Sequence, residues 1–385
     1  VAVKSAWWND RGVRAVLAQI AVLAAVILVV AELTHNTITN LDAQHIATGF
    51  GFLGQTAGFA IGESLIPYAP TDSYTHAFAV GLVNTLLVSV LGIFFCTTLG
   101  LLVGIARLSS NWLLARLASI YVESLRNVPV LLQLFLWYDL IGQAFPSPRQ
   151  ALSIFGVVFL SNRGFKFPLP VVDGALVAGA VALLIAIVAA ILWTKSARRH
   201  QLATGQLRPV LLPNIAGIIL LPLLVSFAFG GLTIELPELH GFNFAGGGTL
   251  SPELAALVIG LSLYTSSFVA EVVRGGILSV SKGQSEAARA LGMREGWIMR
   301  LVILPQALRV IIPPLMGQYL NLIKNSSLAV LIGFPDLVQT INTAINQTGQ
   351  AIEGVAIMMA VYLSISLSVS AALGAFNKRV RLIER

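Results

Sequence analysis

A chain of 385 residues that is 56% hydrophobic and only 11% charged, with a mean hydropathy of +0.84, has more apolar surface than one water-soluble core can hide. This excludes an ordinary soluble domain and makes lipid the solvent for much of the chain. The formal charge of +7 does not signal nucleic acid, because Lys and Arg fall between apolar blocks, as in cytoplasmic loops beside anionic lipid. Cys96 is the one cysteine, so an intrachain disulfide, a CxxC redox pair and a thiolate metal cluster are excluded.

Crossing the hydrocarbon takes about 20 apolar residues whose backbone groups pair internally. That rule predicts an all-α polytopic membrane protein with about eight spans, near residues 14–32, 77–105, 117–143, 172–193, 210–230, 252–273, 302–323 and 354–376. The first run is followed by Glu32, Leu33 and Thr34 instead of a small-residue cleavage site, so it reads as a retained helix. In the third span Glu123 and Arg126 share a face, and Asn127 and Pro129 follow. Pro129 removes a helix donor, which can free backbone carbonyls to line a cavity. Gln133 and Asp139 lie further along the same span. Residues 144–171 read as irregular loop around ALSIFGVVFL, a stretch about half as long as a span requires. Ser266 and Ser267 in the sixth span fit interhelical packing, and Glu271 and Arg274 repeat the i, i+3 charge pair at its end. Lys324 and Asn325, with Ser326 and Ser327, follow the seventh span. This group can hold a carboxylate through charge-assisted hydrogen bonds or cap a helix end. Gly333 and Pro335 break the apolar segment 328–345 into a short or re-entrant helix.

Positive charges orient these spans. Lys4, Arg11 and Arg14 precede the first one, whereas residues 33–76 hold no Lys or Arg. The N-terminus is therefore expected in the cytoplasm, and alternation from there also places the C-terminus in the cytoplasm. Arg149, Arg163 and Lys166 run against this assignment.

One segment interrupts the apolar pattern: SKGQSEAARALGMREGWIMRLVILP at residues 281–305. Ser281 and Gln284 have capping-box spacing, and Gly292 suits the left-handed position that ends a helix. The helix between them is about two turns long, too short to stand alone in water, so it must dock against something. Composition and periodicity leave two readings open, an ordinary basic interfacial loop and a docking element for a cytosolic partner.

Glu286-Ala287-Ala288, three residues, Gly292, then Val302-Ile303-Leu304-Pro305 resembles the EAA loop of permease subunits in bacterial binding-protein-dependent ABC importers. The departure is Val302, where that family usually has Ile. NTLLVSVLGIFFCTTLGLLVGIARLSSN at 84–111, YVESLRNVPVLLQLFLWY at 121–138 and VAEVVRGGILSVSKGQSEAARALG at 269–292 are similar to the polar amino acid permease family. KNSSLAVLIGFPDLV at 324–338 and QTGQAIE at 347–353 look like the general L-amino acid permeases of the AapQ and BztB type.

The resemblance implies a type I ABC importer transmembrane domain over residues 77–385, with inserted helices and loops around 144–251 and the coupling loop at 281–305. Residues 1–76 add an N-terminal transmembrane helix and a periplasmic loop. It implies a multi-pass protein of the bacterial inner membrane that translocates L-amino acids. Glu286, Ala287, Ala288, Gly292, Leu304 and Pro305 would couple it to a dimer of ATP-binding subunits. A second permease subunit, the same chain or another, and a periplasmic amino-acid-binding protein complete the implied assembly. ATP and Mg would be bound by the partner ATPase, with no catalytic, cofactor or metal site in this chain. Arg126, Asn127, Gln133, Glu271, Lys324 and Asn325 are the candidate substrate path. The chain shows no GxxxxGK[ST], HExxH or GxSxG motif, so ATP hydrolysis and membrane proteolysis have no visible residues. Three alternatives remain at this stage: an ion-coupled secondary transporter, an intramembrane enzyme and a passive receptor.

Overall fold

In lipid an apolar run satisfies its backbone by forming a helix, and the computed structural model, which describes residues 11–43 and 48–380, is predominantly helical. The helices run α1 (Arg11–Ala43), α2 (Tyr74–Ala106), α3 (Trp112–Asn127), α4 (Val130–Ala144), α5 (Gly174–Thr204), α6 (Leu211–Ala228), α7 (Pro252–Leu278), α8 (Lys282–Ala290), α9 (Glu295–Ile298), α10 (Leu304–Asn325), α11 (Leu337–Thr348) and α12 (Ala351–Val380). Among the described residues seven helices are long and apolar enough to cross a membrane, and the shorter apolar helix Val130–Ala144 joins them. Lys4, which entered the charge argument, lies outside the described residues.

The third expected span is two helices instead of one. Pro129 has no N–H for the Leu125 carbonyl, the i−4 acceptor in a continuous helix, and the chain breaks between α3 and α4. Gln133 fills the gap, its Nε2 donating to Leu125 O at 2.9 Å and Val128 O at 2.9 Å. Gln133 is itself buried, and Gln133→Leu takes the donor from both carbonyls, so we expect a loss of about 1–3 kcal/mol. It should appear as a lower unfolding midpoint.

The chain folds as two compact units. One comprises residues 1–119 and 268–385, the other residues 120–267.

In the first unit, the loop at 48–73 is packed against helices. Phe52, Ala57, Tyr74, Ala77 and Phe78 form a buried cluster with Leu337, Ile341 and Ala344 of α11. Polar bonds pin the same region, from Tyr74 OH to Gln347 Oε1 at 2.9 Å and from Gly49 N to Glu353 Oε1 at 2.6 Å. The expectation of a plain loop before the second span missed this, because its aromatic residues find their partners nearly 300 positions away. Helix α2 meets α11 at Gly81, where an added Cβ would lie 2.8 Å from Thr340 Oγ1 and 2.9 Å from Asp336 O. Gly81→Ala should therefore cost about 1–3 kcal/mol by overpacking, measured as a fall in the unfolding midpoint. Helix α1 contributes nothing to this core, since its apolar residues from Val16 to Val30 are exposed.

In the second unit, α5 and α6 pair as a hairpin. Gly179 makes the close approach, because its Cβ would fall 2.1 Å from Ser226 Oγ. Asp173 caps α5 by accepting from Leu176 N at 2.8 Å. Residues 144–171, expected to be irregular, instead supply strands β1 (Leu152–Ile154), β2 (Val158–Ser161), β3 (Gly164–Phe167) and β4 (Leu169–Pro170). Later residues add β5 (Ile234–Glu235), β6 (Glu238–His240), β7 (Asn243–Ala245) and β8 (Gly248–Leu250). Their sheet orders are β1-β2-β3-β8, β4-β5 and β6-β7. ALSIFGVVFL turns back on itself at Phe155 and Gly156, with φ of 54° and 71°, the positive values that suit a tight hairpin. Arg149 stacks on Phe242 at 3.8 Å from the ring centroid, and Lys166 Nζ donates to Thr249 Oγ1. Two of the three charges that contradict the simple charge rule are thus used locally.

Candidate functional site

The polar segment forms α8, a tight turn and α9. Gly292 sits at φ +75° and closes α8 with the paired bonds of a Schellman ending. Its N–H donates to Arg289 O at 2.8 Å, and Met293 N–H donates to Ala288 O at 3.2 Å. The left-handed stop expected at Gly292 is present. The capping box is not, because the Ser281 side chain makes no cap bond. Gln284 Oε1 instead accepts from Gln306 Nε2 at 3.4 Å, a partner 22 residues away.

Helix α8 turns Ala288 inward and leaves Glu286, Ala287, Ala290 and Leu291 exposed, with Leu291 at 81%. A short helix with small residues, an acid and an exposed leucine on its outer side offers both close approach and an apolar anchor. Arg289 holds Glu295 through Nε–Oε1 at 2.6 Å and Nη2–Oε2 at 3.3 Å. An exposed pair contributes little net stability, but two parallel bonds fix how α8 meets α9. Gln306 Nε2 also donates to Val302 O at 3.0 Å, so one amide joins α8 to the first turn of α10.

Leu304 and Pro305 lie where that turn changes pitch. Residues Met299–Ile303 form a π-helical turn, and Leu304 N–H reaches Met299 O. Pro305 lacks an N–H and its ring crowds the i−4 carbonyl, so a widened turn ahead of it relieves the clash. Glu295–Ile332 is thereby one apolar stretch long enough to span, entered directly from α8 and α9.

The other candidate residues are divided between the two units. In the second unit, Arg126 and Asn127 are exposed at the end of α3, and Gln133 is buried with its Nε2 occupied and its Oε1 without a partner. In the first unit, Lys324 is exposed and Asn325 half-buried at the end of α10 opposite Leu304, about 30 Å of helix away. Ser327 Oγ donates to Lys324 O at 2.7 Å, which closes the helix end. Among the described residues Lys324 takes part in no ion pair.

Glu271 has more partners than its sequence spacing suggested. Arg274 Nη2 reaches its Oε1 at 2.6 Å, and Arg107, just past α2, binds its Oε2. Gly104 permits this, because a Cβ there would meet Ala270 O at 2.8 Å. Arg107 Nε is buried without a partner. A contact across 164 residues has no local signal in the sequence. Beside this triad an apolar cavity of about 580 Å³ opens between α2, α7 and α10, lined by Leu101, Ile105, Val273, Ile277, Leu308 and Ile311 among others. Among the described residues no group of three or more His, Cys, Asp and Glu could hold a metal ion.

Comparison with known proteins matches residues 182–382 to the family described as "Binding-protein-dependent transport system inner membrane component". YhdX of Escherichia coli (strain K12), named as an amino-acid ABC transporter permease protein, is 50% identical, with 97% of this chain and 95% of the relative covered. The general L-amino acid transport system permease protein AapQ of Rhizobium johnstonii is 48% identical over 98% of this chain and 94% of its own length. BztB of Rhodobacter capsulatus, a glutamate/glutamine/aspartate/asparagine transport system permease protein, is 38% identical over 98% and 96%. Among solved structures, an amino acid ABC transporter crystallised with histidines is 24% identical, covering 80% of this chain and 95% of that one with a TM-score of 0.48. The sequence relatives span nearly the whole chain, including the stretches at 33–76 and 144–208 where motifs are least informative. The chain belongs to the binding-protein-dependent transport system inner membrane components and, within them, to the amino-acid ABC permeases.

Proposed function

We propose that this chain is the permease subunit of an importer that carries L-amino acids across the bacterial cytoplasmic membrane, driven by separate ATPase subunits that dock on residues 281–305. The observation that carries this reading is α8 itself: a Schellman-closed helix whose outer residues Glu286, Ala287, Ala290 and Leu291 have nothing packed over them. The bonds from Gln306 and Arg289 make the helix mechanically continuous with α9 and α10. A push on α8 then reaches the ends of α7 and α10, and the apolar cavity between those helices and α2 gives them room to shift. Nucleotide binding on a partner need only bias two states of this bundle.

In this reading ATP and Mg belong to the partner subunits, and this chain performs no hydrolysis. Both termini and the coupling loop face the cytoplasm, a periplasmic binding protein delivers substrate from the other side, and a second permease subunit completes the pathway. Arg126, Asn127, Lys324 and Asn325 are the proposed path contacts. Gln133 and Glu271 act by positioning, since their bonds close the α3–α4 corner and join α2 to α7. The names of AapQ and BztB support amino acids as the substrate class.

Affinity purification of the tagged chain from its native membrane tests the assembly. The expected result is recovery of an ATP-binding subunit and a permease partner, with labelled amino acid bound by the membrane subunits or the delivering protein. Recovery of the chain alone, transporting solute without an ATPase, would overturn it.

A further inference from the structure

Three buried side-chain oxygens without partners sit on elements that pack together in the first unit: Asn84 Oδ1 on α2, Asp336 Oδ2 at the start of α11 and Tyr362 OH on α12. Asn84 and Asp336 are both 0% exposed. Asn84 spends its amide hydrogens on Glu63 O at 2.8 Å and Pro335 O at 2.9 Å, leaving only its oxygen. Asp336 uses one oxygen as the α11 cap, accepting from Gln339 N at 2.8 Å.

The hydroxyls around them are committed elsewhere. Thr85 Oγ1 donates to Gly81 O at 2.9 Å and accepts from Leu337 N at 3.1 Å. Ser326 Oγ donates to Ile323 O at 2.7 Å, and Thr340 Oγ1 to Asp336 O at 2.7 Å. Tyr362 lies beside Thr85 and Ser326 and within the field of Asp336. One phenol hydrogen cannot serve both remaining acceptors. Among the described residues this corner therefore lacks a hydrogen or a positive charge, and it holds a carboxylate whose burial without a counter-charge is costly.

We propose that Asp336, with Asn84 and Tyr362, forms a buried site for a single positive charge, a proton or a sodium ion, held at Asp336 Oδ2 to complete the packing of α2, α11 and α12. Either ligand removes the bare negative charge and engages the orphaned oxygens. The titratable group facing Asp336 is Tyr362 from α12. Helix α2 contributes neutral Asn84 and Thr85, and the turn at 326–332 contributes Ser326. Burial agrees with this placement, pushing the Asp336 carboxyl up to about 7 against the opposing pull of its backbone hydrogen bonds. A carboxyl raised in this way stabilises the fold fully below its ordinary range near pH 4. That contribution is lost as the pH rises through about 7.

The test is the unfolding midpoint of the purified complex between pH 4.5 and 8.5, in NaCl or choline chloride, for the native chain and Asp336→Asn. Asn keeps the capping oxygen and supplies the missing donor, so it imitates the occupied site. The expected result in choline chloride is a variant more stable than the native chain by about 3 °C or more at pH 8, with the gap closing toward pH 5. If sodium is the ligand, NaCl at pH 8 raises the native midpoint and leaves the variant unchanged. No gap at any pH in either salt would overturn the proposal. Should Asp336→Asn fail to assemble, Tyr362→Phe serves instead. Removing a hydroxyl that can donate to the carboxylate should move the pH at which stability is lost upward, and an unchanged pH profile and salt response would overturn the site.

Discussion

Gly292→Pro should lower the proposed ATP-driven uptake more than tenfold, and Gly292→Ala should cost far less. The reason lies in the backbone. Gly292 holds φ +75° with no atom within 4 Å of an added Cβ, so alanine meets open space and pays only the left-handed strain, about 1 kcal/mol. Proline cannot adopt that φ and has no N–H for Arg289 O, so the Schellman ending is lost and α8 is presented at another angle. Because the loop lies outside the packed core, the spans should still assemble. Glu286→Lys tests the same surface by charge, reversing an exposed acid that makes no ion pair among the described residues. Co-purification of the ATPase subunit and uptake in reconstituted vesicles are the measurements. Both should fall together for Gly292→Pro and Glu286→Lys, and both should survive in Gly292→Ala.

Glu271→Ala is the second large effect. It leaves Arg107 and Arg274 facing one another with no acid between them, and the Arg107 side chain is only 14% exposed. Removing one partner of a buried pair costs about 3–5 kcal/mol, but Glu271 and Arg274 are each 32% exposed, so solvent screens part of the repulsion and about 2 kcal/mol is the expected loss. The double variant Glu271→Ala with Arg107→Ala should recover part of it, because removing both charges takes away the uncompensated cation. The readouts are the unfolding midpoint and basal ATPase activity of the complex. If the single and double variants lose equal stability, the triad does not join α2 to α7.

The sequence alone located the helices well because membrane insertion imposes a long apolar period that needs no partner to be seen. Gly292 was legible for a similar reason, as a glycine following a two-turn helical pattern has few other uses. What escaped depends on distant partners. Gln284 carries the spacing of a capping residue, but Gln306 occupies it. Arg107 closes on Glu271 across 164 residues. ALSIFGVVFL looked like half a span, and its pairing as β1 and β2 continues through β3 to β8, nearly 90 residues later. Pro129 reads as freeing backbone carbonyls to line a cavity, but Gln133, four residues on, takes up the Leu125 and Val128 carbonyls. Asp336 gave no warning, since Phe334-Pro335-Asp336 reads as an ordinary helix start.

In the proposed function this membrane chain moves amino acids by borrowing the work of an ATPase bound to residues 281–305. The direct measurement is uptake of labelled L-amino acids into vesicles containing the purified permease complex, with ATPase subunits, binding protein, ATP and ion gradients each supplied or withheld. The expected result is accumulation that requires ATP, the ATPase and the binding protein together, and that disappears in Gly292→Pro. Accumulation that persists without the ATPase and collapses with a proton or sodium gradient would contradict it.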